Sequence, residues 1–181
     1  MGKRRTARER ALQALYEIEF NGEGPEEALS VSSPAGRAPD DAAEYAAWLV
    51  RGVVARKDEL DALIQTTSRN WRVTRMTPVD RNLLRLAVLE LLEEGTTMAP
   101  AIIINEAIEI AKRFSGEESA DFINGVLDAV RRGLAAKEST EKADDHEPKR
   151  KIEPPAARPG RVPRTGRGAN NRSGAGPGRK A

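Results

Sequence analysis

The chain of 181 residues contains no cysteine, a single histidine and only 4% aromatic residues. Each scarcity removes a class of chemistry. Without cysteine there is no disulfide framework, no thiolate nucleophile and no Cys-ligated zinc or iron–sulfur site. One imidazole cannot build a multi-histidine metal site, and His146 stands in the polar segment KADDHEPKR, where nothing would hold a catalytic base in place. Apolar runs are a few residues long, far short of the roughly 20 needed to cross a bilayer. The basic start MGKRRTARERAL lacks the apolar stretch of a signal peptide. No GxxxxGKS/T, strand-linked GxGxxG or HExxH pattern occurs. Glu93-Glu94 and Glu117-Glu118 are neighbours in sequence and so point in different directions on a helix. These absences lead us to expect a cytoplasmic protein that is not an enzyme and has no metal or cofactor.

What is present is charge, unevenly spread. The formal net charge of +2 averages two unlike parts. Residues 137–181 hold 12 basic and 6 acidic side chains, whereas residues 1–136 hold 18 and 22. From Pro154 onward there is no acid, and Gly plus Pro fill 11 of 28 positions. Val162 is the only bulky aliphatic there, too little to offset the entropy of ordering. The expected organisation is a folded body over 1–136, which holds all seven aromatics, and a disordered Pro/Gly/Arg-rich tail over 137–181.

Hydrophobic spacing in the body is helical throughout, and the expected fold is all-α. Thr6 and Glu9 match a capping box, ahead of Ala11, Leu12, Leu15 and Tyr16 on one face, with Gly22 as the stop. The stretch SVSSPAGRAPD reads as a loop, and a helix from Asp40 or Asp41 carries Tyr45, Trp48, Leu49 and Val53. A short helix spans 58–67. Thr77-Pro78-Val79-Asp80 is a helix start, with Thr77 as N-cap, Pro78 in the first turn and Asp80 complementing the dipole. The helix that follows, RNLLRLAVLELLE, is apolar around most of its circumference and stops at Gly95. After Pro100, Ile103, Ala107, Ile110 and Phe114 form one stripe, and Glu109 and Arg113 an i,i+4 pair. Asn105 is expected to cap or bridge helices. Ser115 with Glu118 opens a last helix through Phe122, Ile123, Val126, Leu127 and Val130, ending near Gly133.

Lys3, Arg4, Arg5, Arg8 and Arg10 crowd the start of helix 1, where cations oppose the macrodipole at a cost of a few tenths of a kcal/mol up to about 1 each. Folding alone would favour acids there. A phosphate chain reverses the sign, because free backbone N–H groups, the dipole and the guanidinium forks all face an anion. A solubilising basic terminus is the plainer alternative.

Three blocks, RRTARERALQALYEIE, NWRVTRMTPVDRNLLRLAVLELL and INEAIEIAKRFSGEESADFINGVLDAV, resemble the NusB family of transcription antitermination factors in content, order and spacing. The resemblance spans roughly residues 3–132 and leaves the 30–40 loop and the tail uncovered. It implies two perpendicular helical bundles of six or seven helices in all. It also implies binding of a boxA element of nascent ribosomal RNA, jointly with a small-subunit ribosomal protein acting as NusE, in an RNA polymerase antitermination complex. The RNA-binding candidates are then Lys3, Arg4, Arg5, Arg8, Arg10, Phe122 and Asn124, with the loop around Trp71 beside them and Glu118 placed next to the RNA path to hold affinity down. Phe122 and Trp71 are equally readable as core. Tyr16 and Asp80 match the family's NusE-binding positions, although Tyr16 also reads as core and Asp80 as a cap. The alternatives are a homodimeric helical scaffold with no RNA role, or an accessory module of ribosomal RNA modification. The tail, with its RPGRVPRTGRG run, resembles Arg/Gly segments that bind RNA without sequence preference.

Overall fold

A computed structural model describes residues 2–32, 40–68, 71–93 and 98–144. Seven α-helices lie within them: α1 Lys3–Asn21, α2 Pro25–Ser32, α3 Asp41–Ala55, α4 Lys57–Thr67, α5 Pro78–Leu92, α6 Pro100–Phe114 and α7 Glu117–Asp144, with a 3₁₀ turn at Val73–Arg75 before α5. No strand occurs among the described residues. Helices α1–α3 pack on one another, α4–α7 form a second group, and α5 joins the two by touching α1 and α3 as well as α4, α6 and α7.

The central role of α5 follows from its composition. Asn82 to Glu90 are buried without interruption, so the helix is wrapped on all sides. It starts as its sequence demands: the Thr77 hydroxyl accepts from the Asp80 N–H, and Pro78 occupies the first turn. The Asp80 carboxylate does not complete a cap. It accepts from Ser119 Oγ of α7 at 3.2 Å. Close approach of α3 to α5 depends on Gly52, where an added Cβ would lie 2.6 Å from Leu89 Cδ2.

Polar ties cross the two groups. Arg8 of α1 meets Glu90 of α5 through two bonds of 2.8 Å, and Tyr45 of α3 donates to the same carboxylate. Near the other end of α1, Glu19 accepts from Asn82 and Arg81. Helices α1 and α5 therefore run antiparallel. Arg81 also donates to the carbonyls of Val73 and Met76, fixing the 3₁₀ turn, and Arg85 pairs with Asp61 of α4 through two bonds of 2.7 Å.

Several local expectations are corrected. Helix α1 begins at Lys3, with extended Gly2 before it and no side-chain cap; the Thr6–Glu9 box does not form because Thr6 already lies within the helix, its N–H bonded to the Gly2 carbonyl, and Glu9 instead accepts from Arg113 of α6 at 2.7 Å. That bond also replaces the Glu109–Arg113 pair. Part of the stretch read as a loop is helical, since α2 runs to Ser32, favoured by Pro25 in its first turn with Glu26 and Glu27 behind it. Ala99, not Asn105, precedes α6, and Asn105 is exposed. Phe114 leaves the apolar stripe of α6 and is 49% exposed. Gly116, at φ +100°, makes the turn into α7, and its carbonyl accepts from Ala120 N–H. Helix α7 passes Gly133 and continues to Asp144, because AAKESTEKAD contains no Gly or Pro to end it. Residues 33–39, Gly95 and the tail from 145, with His146, lie outside the described residues.

Candidate nucleic-acid interface

The first two turns of α1 project the five basic side chains toward α3, α5 and α6, and each meets a different fate. Arg8 is 2% exposed and Glu90 1%, so this guanidinium is a buried tie rather than a surface contact. Arg8 therefore leaves the set of direct RNA contacts. Helical periodicity turns it inward beside Ala7, Ala11 and Leu12, where a charge is tolerated only with a carboxylate partner. The signal was a lone Glu90 in the apolar run LAVLELL.

Arg5 is half-buried and holds Glu106 of α6 through two bonds of 2.8 Å. That hydrogen-bonded pairing keeps the Glu106 carboxyl below its ordinary range and the Arg5 guanidinium above its own. Lys3 pairs with Asp41 at 2.8 Å and Arg10 with Asp40 at 3.2 Å. Arg4 alone of the five has no carboxylate partner among the described residues; its guanidinium lies 3.8 Å over the Tyr45 ring. The site is thus partly self-neutralised. The Lys3–Asp41 pair is exposed and the Asp40 side of the Arg10 pair largely so. Such contacts are worth about 0–1 kcal/mol, and a phosphate can displace them. The N-terminus of α1 itself carries no acid in its first turn and no capping side chain. Its first N–H groups have no intrahelical partner, and Gly2, just before them, lines a cleft with Arg4, Arg5, Met98, Ile102 and Glu106.

The remaining candidates do not share one face. Glu118 is exposed and Phe122 half-buried, one turn further along the same side of α7, with Trp71 packed 6.4 Å from Phe122. Trp71 is 55% exposed, so it is not a core residue. Asn124 sits across the helix in a groove of about 690 Å³ between α6 and α7, lined also by Asn105, Ile104 and Ile108. That groove adjoins the α6 face that meets the basic cluster. Trp71 and Phe122 instead lie toward the 3₁₀ turn that Arg81 ties to Glu19, far along α1 from Lys3 and Arg4.

A third surface carries Tyr16, 39% exposed and stacked 4.4 Å from Phe20, which is itself 59% exposed. Tyr16, Leu12, Val79 and Phe114 line a cleft of about 480 Å³, and Arg113 covers the Phe114 ring at 5.2 Å. Spacing alone read Tyr16 as core beside Leu12 and Leu15; the structure corrects this and puts it outside. Asp80 follows Val79 but is only 6% exposed, and its Oδ1 is buried with no hydrogen-bond partner. Among the described residues no cluster of His, Asp or Glu could hold a metal ion, and no helix is long and apolar enough to cross a membrane.

Comparison with known proteins bears on these surfaces. The model of the NusB family matches residues 5–132. A transcription antitermination protein NusB of Myxococcus xanthus is 46% identical over 134 residues, covering 72% of this chain and 95% of that one. One from Anaeromyxobacter dehalogenans is 50% identical over 139 residues, covering 74% and 94%. Among solved structures, T. maritima NusB superposes with a TM-score of 0.67 at 37% identity, covering 76% of this chain and 96% of that one. A chain from the crystal structure of antitermination factors NusB and NusE in complex with dsRNA gives 0.64 at 30% identity, covering 72% and 97%.

Proposed function

This chain belongs to the NusB family of transcription antitermination factors, which are not enzymes, and from that premise we propose that it binds the boxA element of nascent ribosomal RNA together with a ribosomal protein acting as NusE. The observation that carries the RNA half is the open first turn of α1: an uncapped helix N-terminus beside Arg4, which has no carboxylate partner, and beside Lys3, whose exposed Asp41 partner is exchangeable. Phosphates arriving there meet N–H groups, the dipole and the cations together. These contacts supply affinity and salt dependence, and base contacts supply selectivity. Asn124 in the α6–α7 groove, and Phe122 with Trp71 beside Glu118, are the further points along the RNA path.

The NusE half rests on the apolar surface of Tyr16, Phe20 and Phe114, an exposed aromatic group of the kind that marks a protein interface. Asp80 lies behind this surface, buried and held by Ser119, so it supports the neighbouring Thr77 and Val79 rather than meeting the partner directly. With the two ligands on separate faces, the chain acts by assembly. Each ligand raises affinity for the other by the same factor, and the ternary complex stays with elongating polymerase.

The test is a fluorescence-anisotropy titration of the full chain with boxA RNA, with and without NusE. Tighter RNA binding in the presence of NusE is expected. Replacing Lys3 and Arg4 by Gln, with Arg8 left in place, should weaken RNA binding and reduce the salt slope by about 0.7 per lost phosphate contact. Unchanged affinity and slope would rule this reading out. Sedimentation with and without RNA covers the scaffold alternative, whose dimer would not respond to RNA.

A further inference from the structure

We infer that the cleft between the first turn of α1 and the first two turns of α3 is a base-stacking subsite, in which an unpaired nucleobase of single-stranded RNA lies against Trp48 and Tyr45. The inference rests on the RNA-binding reading above and names a recognition element for it outside α7. The cleft measures about 630 Å³ and is lined by Lys3, Arg4, Asp41, Glu44, Tyr45 and Trp48. That volume falls in the roughly 300–1,000 Å³ range of small-molecule sites.

Its geometry suits a flat ring. The Tyr45 and Trp48 rings are stacked 5.3 Å apart at 18°. Both side chains are half-buried, so they rest on the core yet present ring surface to the cleft. Arg4 already covers a face of Tyr45, its guanidinium 3.8 Å over the ring, so the base takes the open surface of Trp48 and the edge of the Arg4–Tyr45 stack. Single-stranded RNA is held by this combination of aromatic faces and guanidinium planes, because every base has a π-face. The platform is also rigid. Tyr45 donates to Glu90, and Arg8 holds Glu90 from the other side, so the ring is positioned before any ligand arrives. A pre-positioned stack spends little ordering entropy on binding.

Charge distinguishes which part of a nucleotide enters. Asp41 and Glu44 stand on the wall of the cleft, where they repel a phosphate. Lys3 and Arg4 border the same cleft, and Arg4 and Arg5 face the neighbouring α1 N-terminus, where they attract one. The phosphate therefore stays at the helix end while the uncharged base turns in beside Trp48. Read by helical spacing alone, Tyr45 and Trp48 belong to the buried face of α3; only the approach of α1 makes them a wall.

The chain has two tryptophans, so Trp71→Phe leaves Trp48 as the sole indole reporter. This variant is titrated with boxA RNA while anisotropy of labelled RNA follows binding independently. Trp48 emission should be quenched with the same midpoint as the anisotropy change. Trp48→Ala, checked for folding by circular dichroism, should weaken binding about ten-fold or more, and Trp48→Phe should recover most of that loss. Binding by anisotropy with unchanged Trp48 emission overturns the subsite and leaves the RNA reading standing. Unchanged affinity in folded Trp48→Ala does the same. No binding of boxA RNA by the unsubstituted chain, measured by the same anisotropy titration, refutes the RNA reading itself. If Trp48→Ala does not fold, the emission of the Trp71→Phe protein decides.

Discussion

Replacing Arg8 by Met isolates the buried tie between α1 and α5. In the folded chain Arg8 and Glu90 are 2% and 1% exposed, joined by two bonds of 2.8 Å, with Tyr45 as a third member. Methionine keeps much of the length of the side chain and removes the charge, which leaves Glu90 buried with only the Tyr45 hydroxyl. Removing one partner of a buried pair costs about 3–5 kcal/mol. For a body of this size that lowers the melting midpoint by roughly 10–20 °C. Far-UV circular dichroism melts and urea titrations read the change. Because the pair is out of water, raising the salt concentration should change the difference little. A triple variant separates charge burial from packing: Arg8→Met with Glu90→Leu and Tyr45→Phe removes the whole network and should regain most of the lost stability. A single-variant loss below about 1 kcal/mol, the size of an exposed ion pair, would refute the assignment of Arg8 as a structural residue. The outcome also governs how RNA data are read, since an Arg8 variant that loses RNA affinity does so by unfolding α1.

Glu106→Gln releases Arg5 from its carboxylate and should tighten RNA binding several-fold in the anisotropy assay; no change would show that Arg5 does not meet RNA. The same variant tests pH dependence. The folded-state pKa of Glu106 lies below its ordinary value of 4.5, so its stabilising contribution is present above that value and lost as pH falls through the lower one; acid melts should show the variant losing less stability than the parent below about pH 4. Gly52→Val should destabilise by about 1–3 kcal/mol because its side chain meets Leu89, whereas Gly133→Ala, with nothing near its Cβ position, should stabilise by about 0.5–1 kcal/mol in a helix interior; thermal melts compare the two. Deleting residues 145–181, which carry ten basic and three acidic side chains, should lower non-specific RNA affinity and flatten its salt slope, and an unchanged slope would show the tail inert toward RNA.

The all-α class, the Thr77 cap and the all-round burial of α5 were legible because they depend on local spacing and on side chains three or four residues apart. What failed was decided across long separations. Thr6 and Glu9 match a capping box, yet the helix starts three residues earlier at Lys3, and Arg113, 104 residues away, takes the carboxylate left free. Arg8 reads as one of a surface cluster because its partner is 82 residues away. Glu90 in an apolar run was the available sign that a buried cation must exist, but not which one. Phe114 keeps the apolar spacing of α6 and still faces outward, into the cleft it shares with Tyr16 and Val79. The order of the basic side chains says nothing of Asp40, Asp41 and Glu106, whose approach turns a run of positive charge into a patch already half balanced.

The paired charges along α1 also decide how that helix sits. Its buried face sets Leu12 and Leu15 among the small side chains of Ala7, Ala11 and Ala14. A slip of one turn, about 5.4 Å, would pull both leucines from their packing. It would also withdraw Glu19 from Asn82 and Arg8 from Glu90 at the same moment, stranding the second pair of charges in the interior. Apolar packing in the middle of the helix and polar ties towards its two ends thus specify the same single register. The position of the positive terminus on the molecular surface is thereby set from inside, by residues that no ligand touches.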